Sequence, residues 1–211
     1  MDISRLRTDY TQNVLEEKDL DSDPWVQFEN WLEAAIAANL PEPHGMTLCT
    51  VGEKGRPSSR VVLLRGLSRQ GLVFYTNYRS RKGQELEQHP WACLNFWWPQ
   101  LERQVRVEGR VQKVAPEQSD AYFASRPYES QVASAASPQS TEIPSRAILE
   151  EQITELRREY PDAVPRPAHW GGFCLVPDYF EFWQGRKARL HDRLAYTVQT
   201  DGSWKVARLA P

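Results

Sequence analysis

The segment "FWQGRKARLHDR", Phe182 to Arg193, sets four cations and a histidine within a dozen residues. Run as a strand, it would alternate its side chains between two faces. Arg189, His191 and Arg193 would then share one face, with Leu190 and Asp192 on the other. Three basic groups in a row make either a wetted surface or a seat for an anion. Two arginines beside His191 favour its neutral imidazole, which can exchange a proton near neutral pH.

Other segments carry related chemistry. In "YTNYRSRKGQELEQHP" a strand ends near Tyr75 and Thr76, and Ser80 can cap a helix that Pro90 stops. Arg81 and Lys82 fall in its first turn, where the helix dipole disfavours cations unless an anion sits there. The pair would also be stable as two solvated charges. "SRVVLLRGL" alternates Arg60, Val62 and Leu64 against Val61, Leu63 and Arg65. Its guanidinium forks could share a phosphate with Arg81 and Lys82. "AYFASRPYESQ" places Tyr122 and Arg126 four apart on one helical face, with Pro127 ending the helix and Ser130 in the loop beyond. Phenol, guanidinium and hydroxyl suit a phosphate, and equally an ordinary helix end. Gln104 opens a half-wet strand, "RQVRVEGRVQKV", where its amide could read a polar ring edge. His44, His89 and His169 lie in loop-like or Pro-flanked settings without such company. Glycine-rich phosphate loops, H-E-x-x-H and G-x-S-x-G are absent, so side chains and helix ends must hold any phosphate.

The elements that would position these groups form one domain. At 211 residues, 40% hydrophobic and 26% charged, the composition is that of a soluble single-domain protein. Residues 1–20 read as a mobile polar arm, and 21–211 as the domain. A helix follows Asp23-Pro24 with Trp25, Phe28, Leu32, Ala35 and Ile36 at helical spacing. Short apolar runs between turn signals then read as an antiparallel meander, with helices near 116–126 and 144–160 and four closing strands. A β-barrel with helical decoration is the architecture this implies. No run approaches the roughly 20 apolar residues of a membrane span. Cys49, Cys93 and Cys174 lack metal or disulfide spacing, and "MDISRLRTDYT" lacks an apolar leader core; both predict a cytoplasmic protein with reduced thiols and no metal. Net charge is −2, yet Lys54 to Gln84 holds eight Lys or Arg and no acid. That block would suit a compact anionic ligand or, as an alternative, nucleic acid.

Together, "SRVVLLRG", "FYTNYRSRKGQEL", "LERQVRVEG", "YFASRP", "PQS", "EFWQG", "RLHDR" and the terminal "RLAP" resemble the pyridoxine/pyridoxamine 5′-phosphate oxidases, over nearly the whole chain and in the family's order. The resemblance implies an FMN-binding split β-barrel (mainly β with helices) and a homodimer with flavin sites across the subunit interface. No nucleic acid or membrane is then involved. It implies oxidation of pyridoxamine or pyridoxine 5′-phosphate to pyridoxal 5′-phosphate, with hydride leaving C4′ for the flavin. O2 is the acceptor, and H2O2, with ammonia from the amine, the by-product. By motif, the FMN residues would be Arg60, Val61, Val62, Leu63, Leu64, Arg65, Tyr75 and Thr76, then Arg81, Lys82, Gln104, Gln139, Ser140, Trp183 and Arg193. The substrate residues would be Arg7, Tyr10, Arg65, Tyr122, Arg126, Ser130, Arg189 and His191, the last two catalytic. Arg65 stands where many relatives carry Lys, and Pro138 where a basic residue is common. A related branch acts on phenazine precursors; "RLHDR", Tyr122, Arg126 and Ser130 fit the vitamin B6 branch better.

Overall fold

A computed structural model describes residues 1–5 and 9–211; Arg7 lies outside the described residues. Helix α1 (Pro24–Ala37) begins where expected, with Asp23 Oδ1 accepting from the Trp25 N–H at 2.9 Å. Its buried arc centres on Phe28 and Ala35, which brings Trp31 inside and leaves Ile36, expected on that face, 54% exposed.

The meander is β1 (Gly45–Val51), β2 (Pro57–Leu63), β3 (Gly66–Ser68), β4 (Gly71–Asn77), β5 (Trp91–Trp98) and β6 (Arg103–Lys113). The single strand expected from "SRVVLLRGL" is thus two, broken at Leu64–Arg65, and the alternation of Arg60 to Leu63 stops there. "GGFCLV" and "YFEFWQG", read as two strands, form one: β7 (Trp170–Gln184). The hairpin of β8 (Asp192–Val198) and β9 (Trp204–Arg208) closes the chain. All pairings are antiparallel, in the order β2-β1-β5-β6-β7-β4-β3, with β8 and β9 branching from β7.

The branch explains the split. Leu175 back to Trp170 pair with β4, whereas Tyr179 to Gln184 pair with β8. Between them the register against β6 shifts: Glu108 faces Tyr179 and Gly109 faces Pro177, leaving Asp178 as an extra residue. Before this bulge the core residues are odd-numbered, Phe173 and Leu175; after it they are even, Phe180 and Phe182. Proline suits the bend because it has no N–H to leave unbonded. Gly109 is required opposite it, since a Cβ there would lie 2.1 Å from the Val176 carbonyl oxygen.

The core under α1 is aromatic. Phe182, fully buried, sets its ring edge-on to Trp31 (5.2 Å between centroids) and to Tyr196 (5.6 Å). Phe182→Ala is expected to cost about 3–5 kcal/mol. In a chain of this size that lowers Tm by on the order of 10 °C, which a calorimetric scan would read.

Helix α2 (Arg81–Gln88) packs beside β1 and sends Leu86 into the main core. Helices α3 (Pro116–Ala124), α4 (Tyr128–Ala136) and α5 (Arg146–Glu159) form a helical layer around a second apolar cluster of Phe123, Val132, Val164 and Trp170. The expected helix near 116–126 stops at Ala124, and the segment after it is a helix of its own. Pro127 cannot continue α3 but serves as N-cap of α4, so Ser130 lies on a helix and not in a loop. None of the described helices is long and apolar enough to cross a membrane.

Residues 10–20, grouped by sequence with the mobile arm, lie against the β7–β8 end of the barrel. Leu15 is buried and its N–H donates to Asp192 Oδ2 at 3.1 Å; the Gln12 N–H donates to Glu102 Oε2 at 2.9 Å. Arg208 grips both carboxylate oxygens of Glu17, at 2.7 and 2.8 Å. Tyr10 packs over Gly185, where a Cβ would come within 2.7 Å of the ring.

Candidate functional site

A cleft of about 1240 Å³ opens between the β2–β4 side of the barrel and the helical layer. Arg60, Val61, Val62, Leu63 and Arg65 line it from β2 and its end; Tyr75, Thr76, Arg81 and Lys82 line it from β4 and α2. Tyr122, Arg126 and Ser130 enter from the helices, with Gln139 and Ser140 from the loop after α4. Leu64 does not line it: its side chain is buried in the core and its N–H donates to the His44 carbonyl. Of the eight cations in the basic block 54–84, Arg60, Arg65, Arg81 and Lys82 surround this concavity; Lys54, Arg56 and Arg79 do not line it, and Arg69 pairs with Asp23.

Two cationic groups share this cleft. The first joins Arg60, Arg81 and Lys82. Ser80 caps α2, its Oγ accepting from the Gly83 N–H at 3.3 Å, which sets Arg81 and Lys82 in the first turn. Lys82 Nζ donates to Gln139 Oε1 (2.9 Å), Thr76 Oγ1 (3.1 Å) and Ser80 Oγ (3.2 Å). Burial, then the Arg60 charge, pull its pKa down to about 8, with Glu85 opposing them. A cation so desolvated, at a helix N-terminus and next to a second cation, is a cradle for a dianion. Gln139 reaches Lys82 despite the preceding Pro138, and Ser140 holds a left-handed φ of 70° at the cleft wall.

The second group joins Arg65 and Arg126. Arg126 lies over the Trp170 ring at 4.8 Å and donates from Nη1 to Ser134 Oγ at 2.8 Å. Burial depresses its pKa and Arg65 adds to that, against the pull of Tyr122. Tyr122 stacks on Tyr75 at 3.9 Å and is near-parallel to Trp170, giving the cleft a flat aromatic wall. Ser134 was not singled out from sequence; its spacing eight residues after Arg126 signals nothing across a helix break.

The remaining predicted residues lie elsewhere, in a strip across β6, β7 and β8. Gln104 is in register with Trp183, and Trp183 with Arg193. None of Gln104, Trp183, Arg189, His191 and Arg193 lines the cleft. The expected strand from Arg189 to Arg193 begins only at Asp192. Residues Lys187–Arg189 form a 3-10 turn in which Ala188 (φ 54°) and Arg189 (φ 62°) are left-handed, so Arg189 and His191 do not share a strand face. Two successive non-glycine residues in that region carry strain of the kind found at functional sites. His191 tilts against Trp183 at 4.6 Å and meets Tyr10 at 5.7 Å. Its Nδ1 accepts from the Arg186 N–H at 3.1 Å, which puts the neutral ring's proton on Nε2. Its pKa is lowered first by burial and second by Arg189; Asp192 opposes both. Arg193 Nε donates to the buried Glu181 carboxylate at 2.8 Å.

His169, passed over in the sequence, has a buried Nε2 without a partner and borders a smaller hollow behind the Gln139 loop.

Comparison with known proteins bears on this arrangement. Residues 32–159 match the family model described as pyridoxamine 5′-phosphate oxidase, and residues 170–211 match the pyridoxine 5′-phosphate oxidase C-terminal dimerisation region. The chain is 54% identical to a pyridoxine/pyridoxamine 5′-phosphate oxidase of Cupriavidus pinatubonensis, over 99% of each chain. It is 55% identical to that of Chromobacterium violaceum, over 100% of this chain and 99% of the relative. Among solved structures, PhzG from Burkholderia lata, in complex with tetrahydrophenazine-1-carboxylic acid, superposes with a TM-score of 0.88 at 32% identity, covering 94% of this chain and 98% of that one. The chain belongs to the pyridoxine/pyridoxamine 5′-phosphate oxidase family, and FMN is its cofactor.

Proposed function

We propose that this enzyme oxidises pyridoxamine 5′-phosphate and pyridoxine 5′-phosphate to pyridoxal 5′-phosphate. O2 is the final acceptor, with H2O2 and, from the amine, ammonia released. The observation that carries this reading is the pair of cationic groups in one cleft, one around Lys82 and one around Arg126. A phosphorylated substrate and a phosphorylated cofactor need two such seats, and an aromatic wall between them suits flat rings. Bound FMN supplies the two-electron acceptor for the hydride leaving C4′.

The chain's own residues bind and orient. Arg60, Arg81 and Lys82 hold the FMN phosphate, with Thr76 and Gln139 fixing the lysine and Ser140 beside it. Arg65, Arg126, Tyr122 and Ser130 hold the substrate phosphate. Gln104, Trp183 and Arg193 meet the flavin ring, and Arg189 and His191 meet the substrate ring. His191, neutral with its proton on Nε2, exchanges a proton at the substrate's polar edge. The strip and the cleft act together in a homodimer, the strip of one subunit completing the cleft of its partner. Trp183, Arg189, His191 and Arg193 all fall in the stretch matched as a dimerisation region, which supports this. Tyr10, which already rests on Trp183 and His191, contributes to the substrate site.

The test is an oxygen-dependent assay following the aldehyde. Rapid turnover of pyridoxamine 5′-phosphate is expected, with unphosphorylated pyridoxamine slower by at least roughly 100-fold, the worth of a lost charged contact. Equal turnover of both would refute the role of the Arg126 group. The likeness to PhzG makes a reduced phenazine carboxylate the natural control substrate; preferential turnover of it would overturn the reading.

A further inference from the structure

Beneath the Lys82 cradle lies a carboxylate that the motifs do not mark. Glu85 sits on α2 one turn after Arg81, with its side chain 7% exposed. Its Oε1 accepts from Arg81 Nε at 2.8 Å. Its Oε2 accepts from Ser58 Oγ at 2.7 Å, from the Thr50 hydroxyl, and from Arg60 Nη2 at 3.3 Å. The two hydroxyls close the network, since each also accepts from Arg60. Burial disfavours the charge on Glu85, but the Thr50, Ser58 and Arg81 hydrogen bonds and the Arg60 charge outweigh it and hold the pKa at about 2.

A buried anion next to an anion seat looks counterproductive, because it repels the ligand. Its geometry supplies the compensation. Arg60 comes from β2 and Arg81 from α2, and this carboxylate is where the two guanidinium groups meet. Without it, two like charges would face each other, and Arg81, with 62% of its side chain exposed, would spread into water. Binding would then have to order that side chain.

We propose that Glu85 is a positioning residue for the FMN phosphate, holding Arg60 and Arg81 together as a preset pair. This rests on the assignment of the Lys82 cradle to FMN. The i,i+4 spacing of Arg81 and Glu85 is the only trace of it in the sequence.

The experiment titrates apoprotein with FMN and with riboflavin, reading flavin fluorescence quenching. Wild type, Glu85→Ala, Glu85→Gln, Arg81→Ala and the Arg81→Ala/Glu85→Ala double variant are compared, with Tm as the folding control. Glu85→Ala is expected to raise the FMN Kd about tenfold and to leave the riboflavin Kd within about twofold, since only FMN carries the ester. The double variant should weaken FMN binding by less than the product of the two single effects, because part of the Glu85 effect is exerted through the Arg81 guanidinium. Glu85→Gln should fall between wild type and Glu85→Ala, because an amide presents donors at one end and can retain only one guanidinium. An unchanged FMN Kd, or equal weakening of FMN and riboflavin, would overturn the proposal. Should Glu85→Ala fail to fold, Glu85→Gln carries the same test: an FMN-to-riboflavin affinity ratio equal to that of wild type overturns the proposal. If Arg81→Ala and wild type bind FMN equally well, the assignment of the cradle is what fails.

Discussion

Lys82→Met is expected to raise the Kd for FMN by roughly 10- to 100-fold, the ~1.5–3 kcal/mol of a hydrogen bond to a charged group. The side chain is nearly isosteric, and its site is buried against Thr76, Ser80 and Gln139, so the loss reports charge more than packing. The wild type carries a second signature. Its Lys82 pKa, drawn down to about 8, means that the apoprotein loses this proton as pH rises through that value. A phosphate dianion favours the ammonium form, so binding takes the proton back up. FMN affinity is therefore full below about pH 8 and falls above it, by up to about tenfold per pH unit. In Lys82→Met that slope should vanish. Fluorescence titrations between pH 6.5 and 9.5 (about that range suffices) read both effects; a flat wild-type profile would rule out the lysine as the titrating contact.

The second large effect is expected at Arg126. Arg126→Ala should lower kcat/KM for pyridoxamine 5′-phosphate by about 2–5 kcal/mol, roughly 30- to several-thousand-fold, as for truncating a buried charge pair. Turnover of unphosphorylated pyridoxamine and the Kd for FMN should stay within about threefold, because neither uses this guanidinium. Loss of FMN affinity instead would move Arg126 from the substrate seat to the flavin seat. Steady-state kinetics on both amines, with an FMN titration alongside, separates these outcomes. Ser134, which accepts from Arg126 at 2.8 Å, keeps the guanidinium over Trp170 and is the residue whose removal would blur its aim.

Much of this was legible from local chemistry. Asp23-Pro24 announced α1, Ser80 announced α2, and strict alternation announced β6, because each of these signals acts within one or two turns of chain. The motifs likewise pointed to Arg60, Arg81, Lys82 and Arg126, which the fold gathers into one cleft. What failed depended on contacts far along the chain or on backbone geometry with no side-chain marker. "GGFCLV" and "YFEFWQG" read as two strands, yet β7 runs through both and through Pro177 between them because β6 supports both halves. Pro127 read as a helix end leading to a loop, yet it starts another helix under Val164 and Trp170. Alternation placed Arg189 with His191, and a left-handed turn at Ala188 and Arg189 undid it. Glu85 went unnoticed because its partners Thr50, Ser58 and Arg60 lie 35, 27 and 25 positions away.

The extra residue at Asp178 sets the phase of everything downstream of it. Trp170, before it, stands in the wall of the cleft, and Trp183, after it, stands in the strip; both turn away from the core although thirteen positions separate them. An odd interval on an unbroken ribbon would put them on opposite sides. Spelling at this bend is therefore free to vary while its length is not: losing one letter would turn Phe180 and Phe182 outward and drive Glu181 and Trp183 into the hydrocarbon interior. Half of the proposed site hangs on a parity.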